Sequence, residues 1–130
     1  MSKYTVMTRA LLKKMGLLYW DAERFVQMKP HGKRIDMFHI LDLEALEPID
    51  TIGIQVCGPT GKSEHHKTIT VTRLEYTLAW LESPYRRLWL ISWTKTLDKN
   101  KDGTRGKRRT WKPHFRKYAL EGGQITWRDE

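Results

Sequence analysis

Position 57 holds the chain's one cysteine, so no disulfide within a single copy can staple the fold. No apolar run is long enough to span a bilayer, and no charged stretch followed by an apolar one opens the chain as a secretion signal would. A reducing, cytoplasmic setting is expected, with no membrane among the partners. Acidic residues are few: 15 Asp and Glu stand against 24 Lys and Arg, a formal net charge of +9. An excess of that size favours an anionic partner, and nucleic acid is the commoner one for a chain without a lipidation motif. At 130 residues, 39% of them hydrophobic, the chain can bury one core and is too short for two, so a single domain over 1–130 is expected.

The positive charge is uneven. Between Arg86 and Lys117 stand twelve basic residues and two acids, a local +10, and the rest of the chain is close to neutral. Trp89, Trp93, Trp111, His114, Phe115 and Tyr118 are interleaved with these charges, a mixture that suits phosphate contact with stacking. The plainer reading is a solubilising charge over aromatics that fill the core. The candidate nucleic-acid contacts are Lys62, Lys95, Arg105, Lys107, Arg108, Arg109, Lys112, Arg116 and Lys117.

The stretch Lys33 to Gly58 reads as two strands joined by a turn at Pro48-Ile49-Asp50. Alternation puts Asp36, Phe38, Ile40, Asp42 and Glu44 on one side of the first strand, and Gln55 with Cys57 on one side of the second. A carboxylate facing into a sheet costs several kcal/mol unless it is paired, hydrogen-bonded or bound to a metal. A divalent cation is the simplest compensating partner.

Periodicity predicts a helix near 6–15 with Val6, Met7, Ala10, Leu11 and Met15 on its apolar side, capped by Thr5 or Thr8 and ended by Gly16. Strands are expected near 17–28, 34–46, 51–57 and 87–95, and a helix near 64–82 with an inward stripe of Val71, Leu74, Leu78 and Leu81. A mobile basic loop from Lys99 to Arg109 then precedes a strand through Trp111 and Phe115, and Gly122-Gly123 turns back into Ile125-Thr126-Trp127. The fold class is α/β, a central mixed sheet flanked by helices, with a basic C-terminal extension over about 96–130.

Three apparent motifs fail on spacing. Gly58-Pro59-Thr60-Gly61-Lys62-Ser63 imitates a phosphate-cradling loop, but position 56 is Val where that loop needs Gly, so no nucleotide cofactor is expected. The loop's milder use is contact with a single phosphate through Thr60, Lys62 and Ser63. Asp98 to Gly103 opens like a calcium loop, yet its twelfth position is Arg109 rather than Glu. His65 and His66 are adjacent and cannot both face one zinc from a regular helix.

Asp42, a turn and then Gln55-Val56-Cys57, 13 positions on, resembles the metal-binding hairpin of the PD-(D/E)xK nuclease superfamily, particularly the archaeal-type Holliday junction resolvases. The similarity in element order runs from about Thr5 to Lys95. It implies a restriction-endonuclease-like fold, a homodimer, and a metal-dependent DNA endonuclease acting on branched DNA. It further implies that Asp42, the Gln55 oxygen and the Val56 carbonyl hold Mg²⁺ or Mn²⁺, with Asp36 or Glu23 adding charge. The family's Glu-x-Lys slots hold Gln55 and Cys57, so the missing lysine would come from Lys67 or Lys62. An exposed carboxylate paired with Arg24 or Lys29 is the plainer reading of Glu23, and a solvated lysine that of Lys67. Two alternatives stay open: a catalytically degenerate DNA-binding protein on the same fold, and an interaction protein whose basic region meets an acidic partner.

Overall fold

The computed structural model describes residues 2–22, 24–26, 33–35 and 40–130. Its elements are α1 (Lys3–Lys14), β1 (Leu18–Asp21), β2 (Arg24–Val26), β3 (Lys33–Ile35), β4 (Leu43–Leu46), β5 (Thr51–Cys57), α2 (Lys62–Lys67), a π-helical turn (Thr68–Thr72), α3 (Leu74–Leu81), β6 (Arg86–Lys99), β7 (Arg105–Glu121) and β8 (Gln124–Asp129). Six strands form one mixed sheet in the order β1-β4-β5-β6-β7-β8, and β2 pairs with β3 apart from it. Only β5 and β6 run parallel within it. A parallel pair needs a long crossover, and residues 62–81 supply it as helix. No described helix is long and apolar enough to cross a membrane.

The sheet is covered on both faces, which makes β5 apolar nearly throughout. On one face Ile52, Ile54, Val56, Trp89, Ile91 and Trp93 pack with Leu12 of α1, and on the other Leu88, Leu90 and Tyr118 pack with Ile69 and Trp80 of the crossover. Gly53 permits that second contact: a Cβ there would lie 2.5 Å from the Leu41 side chain and 3.0 Å from the Trp80 ring.

The first helix begins earlier than its periodicity predicts, because Ser2 is the cap, its hydroxyl accepting from the Thr5 amide. Its inward face is also turned. Thr5, Thr8 and Leu12 are buried, with Tyr4, Met7 and Leu11 partly so, whereas Val6 and Met15 face solvent. Hydrogen bonding explains the buried threonine: Thr8 Oγ1 donates to the Tyr4 carbonyl and accepts from Trp93 Nε1, both at 2.8 Å. Gly16 ends the helix at a positive φ of 79°, as expected.

The expected helix over 64–82 is three pieces. The Arg73 amide bonds back five residues to Thr68, and at φ −120°, ψ 34° Arg73 leaves helical geometry, so α3 starts on a new azimuth. Val71 and Leu74 are exposed as a result, and Ile69, Thr77 and Trp80 are the buried positions. The strand expected over 17–28 divides into β1 and β2, and that over 34–46 into β3 and β4, with 36–39 outside the described residues.

The largest departure is at 96–130, which forms the outer strands of the sheet rather than an appended extension. The basic segment expected as a loop is the end of a long hairpin: β6 and β7 stay paired from Leu88↔Tyr118 to Lys99↔Arg105. Because β5 stops opposite Ser92 and β8 stops opposite Arg116, the hairpin beyond them stands as a two-stranded ribbon. From Trp93 to Lys99 it reaches roughly 20 Å at a strand's rise per residue. Pro113 costs no ladder bond, since it lies just past the end of β8 on the edge that Phe115 uses to pair with Glu130. Gly106 lets the strands close: a Cβ there would lie 2.3 Å from the Asp98 carbonyl. Asp98 takes hydrogen bonds from Thr110 (2.6 Å) and Lys112 (2.9 Å), and Asp102 one from the Thr104 amide (3.0 Å), so both acids tie the ribbon together.

Candidate functional site

The polar centre of the sheet lies where β4 meets the C-terminal end of β5. Asp42 joins the ladder by donating its amide to the Ile54 carbonyl (2.8 Å), and its side chain is 7% exposed. Its Oδ2 accepts from the Val56 amide at 2.7 Å and from Gln55 Nε2 at 3.2 Å. A strand residue's N–H and C=O leave by the same edge, so the Val56 carbonyl also faces the Asp42 side. The structure thus brings together the three residues of the expected metal set, with the Gln55 and Val56 N–H groups rather than their oxygens on the Asp42 carboxylate.

Gln55 Nε2 is also 2.9 Å from His65 Nδ1. Gln55 Oε1, by contrast, is buried with no hydrogen-bond partner among the described residues. A buried acceptor left unpaired costs about 1–3 kcal/mol, and here it sits one amide's width from a carboxylate. An oxygen wanting a positive partner beside a carboxylate and a backbone carbonyl is the donor chemistry of a hard divalent cation, so these residues fit one. No group of three or more His, Cys, Asp or Glu side chains poised for a metal occurs among the described residues. Glu23 and Asp36, expected to add charge, lie outside the described residues.

The turn after β5 is narrow for a reason. A Cβ on Gly58 would strike the Tyr4 ring of α1 at 2.5 Å, and one on Gly61 would lie 3.3 Å from both Cys57 Cβ and the His65 ring. Helix α2 is drawn close to the end of β5 by the Gly61 contact. Its two histidines serve different neighbours, which residue spacing does not reveal: His65 meets Gln55, and His66 Nδ1 pairs with the Tyr118 hydroxyl at 2.8 Å. The His66 ring also meets Trp127 edge-on at 4.5 Å. Burial, then the charge of Arg116, lowers the His66 pKa, and burial raises that of Tyr118.

Cys57, in the family's lysine slot, is buried, and that burial pushes its thiol up to about 11, with Lys62 pulling the other way. It stays protonated near neutral pH and is no nucleophile. Of the two lysines expected to stand in, Lys62 is close enough to act electrostatically on Cys57, His66 and Asp129. Lys67 is exposed at the far end of α2, about 140° round the helix from Lys62, and does not join the cluster.

The basic residues divide between the two faces of the ribbon, because β7 alternates. Lys112 and Arg116 share the face of α2, Arg109 and Lys117 share that of α1, and Lys107 and Arg108 lie where the pairing shifts register between Leu97 and Lys99. Several are already engaged: Arg116 grips Asp129 with two hydrogen bonds (2.6 and 2.9 Å), and Lys117 pairs with Glu130 at 2.7 Å while lying 4.6 Å from the Trp89 ring centre. Lys95 lies 5.8 Å from the Trp111 ring centre. Lys107, Arg108 and Arg109 are exposed and form no ion pair among the described residues. The Arg105 side chain lies outside the described residues.

Compared with known proteins, the chain matches no family model, no curated protein and no solved structure. Fold and site therefore define a class and no more: an α/β protein with a six-stranded mixed sheet and a buried acid–amide pair at a strand end.

Proposed function

We propose that this protein is a metal-dependent DNA endonuclease of restriction-endonuclease-like fold that hydrolyses phosphodiester bonds, with branched DNA as its substrate class. The observation that carries the reading is the meeting of the Asp42 carboxylate with the Val56 amide and the Gln55 side-chain nitrogen at one strand end, on a side chain whose own oxygen is buried and unpaired. Asp42, Gln55 Oε1 and the Val56 carbonyl would hold Mg²⁺ or Mn²⁺, which when bound supplies Lewis acidity at the phosphate and a more acidic water. Lys62 adds positive charge over the same end of β5, where negative charge grows in phosphoryl transfer. The ribbon's exposed Lys107, Arg108 and Arg109 hold the backbone of the duplex, and a two-stranded ribbon is of a size that the major groove admits. A homodimer would present two such centres to a four-way junction.

One observation favours the second reading, a DNA-binding protein with a degenerate site. The Gln55 amide already satisfies Asp42 without any cation, and no lysine occupies position 57. Incubation of the purified protein with plasmid, linear, flap and four-way DNA in Mg²⁺, Mn²⁺ or EDTA decides between them. Metal-dependent cutting of any of these supports the nuclease. Salt-dependent binding without cutting in either metal replaces it with the second reading.

A further inference from the structure

We infer that His65 is a direct ligand of the proposed cation, so that Asp42 Oδ2, Gln55 Oε1 and His65 Nδ1 form a mixed oxygen–nitrogen site that favours Mn²⁺ over Mg²⁺. This rests on the metal site proposed above but not on DNA being its substrate. Two acceptors of different chemistry converge on one atom: Asp42 Oδ2 and His65 Nδ1 lie 3.2 and 2.9 Å from Gln55 Nε2. The amide nitrogen thus marks a point where both lone pairs are aimed. In the cation-free arrangement the amide N–H faces His65 Nδ1, which makes that nitrogen the acceptor, the form in which imidazole binds a metal.

Half a turn of the terminal amide exchanges its nitrogen and oxygen with little movement. Oε1 then joins the two acceptors, and three electron-rich atoms in one place call for a cation between them. With the cation bound the turn leaves one amide atom unpaired as before, since Nε2 gives up its two partners and Oε1 gains the metal. Gly61 makes room for the imidazole, since a Cβ there would lie 3.3 Å from the ring. The donor set decides the metal. Mg²⁺ asks for carboxylates and water, whereas an imidazole nitrogen suits the transition ions, of which Mn²⁺ is the one that also accepts carboxylate and amide oxygens, and Asp42 is the one carboxylate in this trio.

Electron spin-echo spectroscopy of the full chain loaded with Mn²⁺, without DNA, reads the ligand directly. We expect an imidazole nitrogen coupling that converts to the ¹⁵N pattern in protein labelled at histidine. It should vanish in His65→Gln and persist in His66→Gln. Competition should show Mn²⁺ binding more tightly than Mg²⁺ in the wild type, and His65→Gln should lose on the order of tenfold in Mn²⁺ affinity or more. Circular dichroism checks that both variants are folded. Mn²⁺ bound without imidazole coupling, unchanged affinity in His65→Gln, or no Mn²⁺ binding at all would each overturn the inference. If the coupling appears and depends on His65 while no DNA is cut, the ligand stands and the nuclease reading fails.

Discussion

The strand-end cradle and the β6–β7 ribbon are both polar and lie on one sheet, yet physics treats them oppositely. At Asp42 and Gln55, 7% and 4% exposed, each hydrogen bond is made in a low dielectric and each missing one is costly. On the ribbon, Lys107, Arg108 and Arg109 stand in water, where a charge adds almost nothing to stability and everything to long-range attraction. Chemistry belongs where geometry is enforced, and grip where charge is free. The two regions should therefore fail separately.

The largest effect is expected at the cradle. Asp42→Asn keeps the shape and an acceptor for the Val56 amide but removes the charge, so cleavage should fall at least about a hundredfold, in line with several kcal/mol from a bound metal. DNA affinity measured in EDTA should be unchanged. A variant that cuts at the wild-type rate in Mg²⁺ would show the cradle is not the reaction centre.

Next comes the ribbon. Replacing Lys107, Arg108 and Arg109 together by Ala should weaken DNA binding roughly ten- to a hundredfold near physiological salt. The slope of log K against log salt should fall by up to about 3, since each lost phosphate contact contributes about 0.9. Cutting at saturating DNA should stay near the wild-type rate, and the loss should be similar across sequences. An unchanged salt slope would take the ribbon out of the interface.

These two regions were also unequally legible in the sequence. The Asp42–Gln55 pair could be found because a strand hairpin fixes which residues meet, and a buried carboxylate demands a partner. His65 could not, because helical spacing says only that neighbouring histidines diverge and not that α2 is drawn close to β5 through Gly61. The ribbon read as a loop because Gly103, Gly106 and six basic residues between 99 and 109 outweigh its alternation. Those glycines serve the hairpin instead: Gly103 turns it at φ 86°, and Gly106 brings the strands together. The π-helical turn at 68–72 rests on tertiary packing around Ile69 and Thr77, where no local signal announces it.

A smaller effect lies on the opposite face. Thr8→Val keeps the volume but strands the Trp93 indole N–H, which among the described residues donates to Thr8 Oγ1. Chemical denaturation should show a loss of about 1–2 kcal/mol with an unchanged slope against denaturant, the cost of an unmet buried donor. No loss would mean that the indole finds another acceptor. Cleavage and DNA binding should hold, because α1 supports the sheet from the side away from the cradle's side chains.

The smallest effect is a pH dependence within the cradle itself. Burial raises the Cys57 thiol from 9.0 to about 11, so between those values the unfolded chain has released a proton that the folded chain still holds. The raised pKa means that the thiol's contribution to stability is complete below pH 9 and is lost as pH climbs toward 11. With 1.36 kcal/mol per pH unit across that window, the loss reaches about 1 kcal/mol by pH 10. Other groups titrate there too, so the comparison must be made between wild type and Cys57→Ala. The variant should be less stable at pH 8 for want of the side chain's packing, and the gap should narrow by about 1 kcal/mol at pH 10 in paired denaturation curves. A gap that stays constant would mean that the thiol ionises as freely in the folded chain as in the unfolded one, and that the C-terminal end of β5 is wetter than its burial indicates.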